Sequence, residues 1–231
     1  MIVSCALAVV LGVLASCGGD DEPTNSIPTL EPKRTASSPS PDPETARNSE
    51  GCRLLTPAER RSIAGENLET VAPLPVVKGA LLCRWVKTLS TSVTTSIRVI
   101  SQPVQRWVQT LPAEIDRVIA SGKANDKFTN RLKVAKTTIL RGADEVSNKQ
   151  ACSYFSLLVE VNDKTKKGLN EALLYQGTVR GDYTVGWQRC GGGVHTDLLY
   201  EEPGLQISLA LSQSVIRLGK IAHRRAVDKL Q

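Results

Sequence analysis

The sequence predicts an α+β domain in which two β-hairpins pack with several α-helices under disulfide staples. Three observations carry this reading. Apolar residues alternate in hairpin-like stretches near residues 81–100 and 183–200, and recur at helical spacing elsewhere. Four cysteines lie beyond residue 51, two in each half of residues 52–231. The composition also changes near Gly51, from Pro- and Ser-rich to that of an ordinary globular chain.

The chain opens with an uncharged segment, and Ile2 to Ala15 is almost wholly apolar. That is the length of a signal-peptide core and is short of the roughly 20 residues a membrane-spanning helix needs. It ends in Leu14, Ala15, Ser16 and Cys17, which resembles the lipobox of bacterial lipoproteins. The resemblance implies cleavage after residue 16 and a diacylglyceryl group on the Cys17 thiol. Met1 to Cys5 lacks the Lys or Arg usual in a secretory n-region, so a start upstream of Met1 is one alternative. Residues 17–51 then form a spacer that holds six of the twelve prolines and almost nothing apolar. Such a stretch buries too little surface to offset the entropy of ordering. Fully extended, it reaches about 110 Å at roughly 3.3 Å per residue. Residues 52–231 are long enough for one domain with a sizeable core.

The domain begins with Cys-Arg-Leu-Leu-Thr-Pro-Ala-Glu, Cys52 to Glu59. Thr56 as N-cap, Pro57 at the first helical position and Glu59 three residues after the cap predict a short helix to about Gly65. Leu81 to Thr88 reads as a strand. Thr91 to Ile100 alternates, with Val93, Thr95, Ile97 and Val99 on one face, so the pair is a hairpin with its turn at Leu89 and Ser90. Val104, Trp107, Val108, Leu111, Ile115, Val118 and Ile119 come next at helical spacing, with a restart at Pro112. A second stripe runs from Phe128 through Leu132, Ala135 and Ile139 to Val146. Residues 151–161 place Cys152, Phe155 and Val159 on one helical face. Tyr183 to Cys190 and Val194 to Tyr200 form a second hairpin about Gly191, Gly192 and Gly193. After Pro203 and Gly204 a long helix closes the chain, with Leu211, Val215, Leu218, Ala222 and Leu230 on one side. Each half carries a cysteine before a hairpin and a second cysteine within it near a tryptophan, Trp85 or Trp187, which suggests a weak internal duplication. Both tryptophans are expected to pack on the disulfides.

Of the six cysteines, Cys5 leaves with the signal peptide and Cys17 takes the lipid. Cys52, Cys83, Cys152 and Cys190 remain, an even set that reads as disulfides in an exported chain. Three pairings are open. Cys52–Cys83 with Cys152–Cys190 is favoured because each bridge stays within one half. A metal site is disfavoured, since no two of these cysteines are close in sequence and His195 and His223 are isolated.

The motifs Cys52 to Glu59 and Cys83-Arg84-Trp85, behind a lipobox and a Pro/Ser spacer, resemble actinobacterial lipoproteins catalogued as a domain of unknown function, number 3558. The resemblance covers the signal, the spacer and roughly the first third of the domain. It implies an exported α+β fold and a Cys52–Cys83 bridge. It brings no catalytic residues.

No nucleophile elbow, phosphate loop or metalloprotease motif is present. A catalytic base would have to be His195 or His223. His195 and Asp197 are two apart on a strand and share a face, which makes a hydrolase site around them the alternative to a non-catalytic binding domain. A structural envelope component is the third reading. His223 lies in Ala-His-Arg-Arg near a helix C-terminus, where cations complement the helix dipole. The net charge of +6 includes a basic run, Lys123, Lys127, Arg131, Lys133, Lys136 and Arg141, read as a solvated face. Arg180-Gly181-Asp182 reads as a turn. The expected partners are the membrane, through the lipid, and an envelope protein, wall polymer or small molecule. Nucleic acid is not expected outside the cell, and no cofactor is implied.

Overall fold

The computed structural model describes residues 49–65, 68, 70–72, 79–90, 93–163, 166–177 and 183–231. The signal segment, Cys17, the spacer to residue 48 and Arg180 to Asp182 lie outside the described residues. Six strands form a single antiparallel sheet: β1 (Thr70–Ala72), β2 (Leu81–Ser90), β3 (Val93–Pro103), β4 (Glu171–Gly177), β5 (Tyr183–Gly191) and β6 (Val194–Glu201). Their order is β1-β2-β3-β6-β5-β4. The helices are α1 (Pro57–Ala64), α2 (Val104–Val108), α3 (Leu111–Ala120), α4 (Asp126–Arg141), α5 (Asn148–Asn162) and α6 (Leu209–Leu230). Short 3-10 turns occupy Glu50–Arg53 and Ala143–Glu145.

The expected α+β class and both hairpins are present. Two flanking strands extend them, and β3 pairs with β6 so that the hairpins share one sheet. The first hairpin turns later than expected, because β2 runs through Ser90 and Ser90 pairs with Val93 past an irregularity after Thr88. α1 has its full capping box: the Glu59 amide donates to Thr56 Oγ1 at 3.3 Å and the Thr56 amide to Glu59 Oε2 at 2.7 Å. The helical stretch restarts at Leu111 with Pro112 in its first turn. The second stripe ends at Arg141, before Gly142, and Val146 fills the core from beyond the helix.

Side-chain alternation sends each strand's residues to two different cores. On one face Val71, Cys83, Trp85, Ile97, Val99, Val185, Trp187, Val194, Leu198 and Tyr200 meet Leu54, Leu55 and the stripe Val215, Leu218, Ala222, Ala226 of α6. On the other, Ala172 and Cys190 meet α2, α3, α4 and α5. α6 approaches the sheet at Gly219, where an added Cβ would lie 2.2 Å from Trp187 Cε3.

Both disulfides are as favoured, Cys52–Cys83 and Cys152–Cys190. They serve different faces. Cys83 and Trp85 are two apart and share a core. Cys190 is three residues beyond Trp187, so it points to the opposite core, and the expectation that Trp187 packs on its disulfide is corrected. The halves repeat as two three-stranded meanders joined at β3 and β6. Trp85 opposes Ile97 as Trp187 opposes Leu198. The cysteines break this correspondence.

Candidate functional site

A cleft of about 670 Å³ opens on the face covered by α2 to α5. One wall is α3, with Leu111, Glu114, Arg117 and Val118. The other is α5, with Phe155, Leu158, Val159 and Asn162, continued by Asp163 and Lys166. β4 contributes four consecutive residues, Ala172 to Tyr175, and β5 contributes Gln188. Sequence periodicity accounts for the walls, since Leu111, Ile115 and Val118 form one stripe and Phe155, Leu158, Val159 and Asn162 share one flank of α5. The charges at the rim are paired along the chain: Arg117 with Glu114, and Lys166 with Asp163 at 3.8 Å. The body is therefore apolar and the rim polar, the usual make-up of a small-molecule site.

Gln188 is a polar group on the sheet side of the cleft. It lies directly across from Asp197 on β6 and hydrogen-bonds to its carboxylate. Burial holds that carboxyl above its ordinary range, and the nearby Arg98 charge and the Gln188 bond offset only part of the effect.

His195 and Asp197 do share a face of β6, as read from the sequence. They do not form a base and its orienter. Asp197 is engaged by Gln188 and Arg98. His195 instead stacks on Trp107, with centroids 4.3 Å apart and planes 7° apart, and Phe155 meets it edge-on at 5.6 Å. His195 is 5% exposed, and its Nε2 has no hydrogen-bond partner among the described residues. Burial first, and the neighbouring His223 second, lower its pKa to about 3. A neutral ring walled in by aromatics has no open path to a substrate proton.

His223, expected among cations that complement the dipole near the end of a helix, is instead a buried neutral ring. It faces the sheet, and its Nδ1 lies 2.9 Å from Thr196 Oγ1, which is 3.0 Å from Ser101 Oγ. Burial, then the Arg189 charge, lower its pKa to about 4 against an opposing pull from Glu171. The cationic role in that stretch belongs to Arg225, whose two terminal guanidinium nitrogens donate to the Glu59 carboxylate at 2.7 and 2.9 Å. The basic run on α4 is mostly exposed, although Lys136 pairs with Asp116 at 2.6 Å and Arg131 with Glu160 at 3.5 Å.

Sequence reasoning did not pick out the cleft. The strand that contributes most to it, β4, reads Glu-Ala-Leu-Leu-Tyr-Gln-Gly, too short and too apolar on both faces to show an alternation. Among the described residues no three His, Cys, Asp or Glu side chains converge as a metal site, and no helix is long and apolar enough to cross a membrane. No family model, curated protein or solved structure matches the chain.

Proposed function

We propose that this chain is a lipoprotein anchored through Cys17 to the extracytoplasmic face of a cell membrane, and that its domain is a non-catalytic binding module. The ligand site is the cleft between α3, α5 and β4. The observation that carries this reading is the cleft itself: about 670 Å³, with an apolar body, ionic at its rim and with the Gln188 amide as a polar anchor on the sheet side. The apolar run to Ala15, the lipobox-like end and the Pro-rich spacer support the address. The resemblance to the lipoproteins numbered 3558 supports the same address and brings no chemistry. Paired cysteines on both sides of the sheet suit an oxidising compartment.

The test uses the amphipathic fluorophore anilinonaphthalene sulfonate as a probe of the cleft. One saturable site per chain is expected. Leu174→Trp, a half-buried lining position, fills the space and weakens binding about tenfold or more, a loss of roughly 1.4 kcal/mol. Unchanged affinity in a folded Leu174→Trp protein would overturn the assignment of the site.

A further inference from the structure

The cleft is not closed by side chains alone, because its fourth wall is the free edge of the sheet. β4 is the last strand in the order and, among the described residues, pairs only with β5. The direction of its backbone is set by one bond. The Cys190 amide donates to the Asn170 carbonyl at 2.9 Å, immediately before the ladder begins. In an antiparallel pair, directly opposed residues alternate between exchanging hydrogen bonds and not doing so. Residues 170, 172 and 174 therefore turn their amides and carbonyls toward β5. Glu171, Leu173 and Tyr175 turn theirs outward, and no described residue bonds to them. Leu173 and Tyr175 are among the residues that line the cleft.

Building on the proposed ligand site, we infer that the occupant is an extended peptide segment of another protein, added as a seventh strand along β4. Outward donors and acceptors repeat every second residue, about 6.8 Å apart. An extended polypeptide backbone carries the same repeat. Alternate side chains of such a strand point to one face of the sheet, which here opens on Leu111, Val118, Phe155 and Leu158. The opposite set meets Tyr175, which is 50% exposed and whose hydroxyl lies 3.0 Å from Ser212 Oγ. One turn earlier on α6 stands Leu209, 76% exposed. Leu169, just before β4, is 48% exposed. Large apolar side chains are thus left open around this edge.

The charges select within peptides. Arg117, Lys166 and Lys220 each already hold an acid, respectively Glu114, Asp163 and Glu171. The segment that fits is therefore uncharged over its central residues, with apolar side chains at every second position. The chain's own spacer fits poorly, because six prolines between residues 18 and 50 lack the amides a paired strand needs. A second folded copy also fits poorly. An edge of seven residues is about 23 Å long, and pairing two copies there alone falls well short of the roughly 800 Å² per partner typical of a stable interface. It would also leave both clefts empty.

The experiment uses the soluble mature chain and a fluorescein-labelled heptapeptide of alternating threonine and leucine. A second peptide has the same side chains but N-methyl groups on alternate amides, made in both registers. The plain peptide should bind saturably, and the methylated form that blocks the pairing edge should bind at least about tenfold more weakly. Amide exchange at Leu173 and Tyr175 should slow when the plain peptide is bound. Tyr175→Pro, which removes an outward amide, should weaken binding of the plain peptide by at least about tenfold. Equal binding of the plain peptide and both methylated peptides, or unchanged exchange at Leu173 and Tyr175 under saturation, overturns the inference. If the fluorophore binds in the cleft and the peptide does not bind, the ligand site stands and the peptide assignment falls. If neither binds, both fall.

Discussion

At Gly219 the whole packing of α6 turns on a missing methyl group. Trp187 is fully buried against it, so Gly219→Ala places a carbon inside the van der Waals envelope of the indole. Overpacking of this kind costs about 1–3 kcal/mol, and more where the neighbour has no room to move. A urea titration should show a lower midpoint at an unchanged slope. The two buried histidines make a second prediction at this scale. Both fold with pKa values lowered from 6.5, to about 3 for His195 and about 4 for His223. The unfolded chain thus binds more protons below pH 6.5. Stability is complete above that pH, and it falls as pH drops through 6.5 toward the folded values. Each ring contributes a slope of about 1.4 kcal/mol per pH unit in that window. Asp197, raised by burial, works in the opposite sense, because its penalty is relieved as pH falls through its folded pKa. Urea midpoints at pH 7 and pH 5 should differ, and His195→Phe should remove about half of the difference. Equal midpoints would mean that the rings are not held neutral.

Among the elements, α1 was the most legible and β4 the least. Thr56, Pro57 and Glu59 announce a helix start through local backbone chemistry alone, and the capping bonds form as those residues require. Thr56→Ala should cost about 1 kcal/mol. Glu59→Gln should cost more, because the same carboxylate also holds Arg225 of α6. Comparing the two by thermal unfolding separates the cap from the ion pair. The Glu59 carboxyl meets a burial cost that raises its pKa, but the bonds to Arg225 and Thr56 outweigh it and leave the pKa below the ordinary value. That part of the stability is present at neutral pH and is lost as acid protonates the group. β4 carries no cap and no period. Its apolar residues face two cores at once, so neither face reads as polar. Nothing local to residues 171–177 records that the strand ends the sheet.

For the molecule as a whole, the disulfides clamp two cores on opposite faces of one sheet. Cys52–Cys83 ties the N-terminal turn to β2, and Cys152–Cys190 ties α5 to β5, closing separations of 31 and 38 residues. Chain entropy assigns each about 4 kcal/mol. Replacing Cys152 and Cys190 together by alanine should lower stability by about that amount and loosen the wall of the cleft that α5 forms. A reduced affinity for the fluorophore, beyond any loss seen with Cys52 and Cys83 replaced, is the expected readout. Mass spectrometry of the native protein, extracted in detergent and digested without reduction, tests the address. A diacylglyceryl group on Cys17 is expected, and an unmodified N-terminus would remove the anchor from the proposal.

Read alone, the sequence determined the features whose causes are short-range: the helix starts, the alternation within each hairpin and the pairing of cysteines within each half. Each depends on residues a few positions apart, or on the small entropy of closing a loop inside one half. Tertiary structure alone decided that the two hairpins join along β3 and β6, that His223 turns inward, and that Trp187 and Cys190 serve opposite cores. It also decided the cleft, because a cavity is set by how α3 and α5 stand over β4, and those elements come together across some 60 residues of chain. The physical reason is the same throughout. Local patterning states which side of an element is apolar, while which two apolar sides meet, and which edge remains unpaired, is settled only when all of them compete for burial.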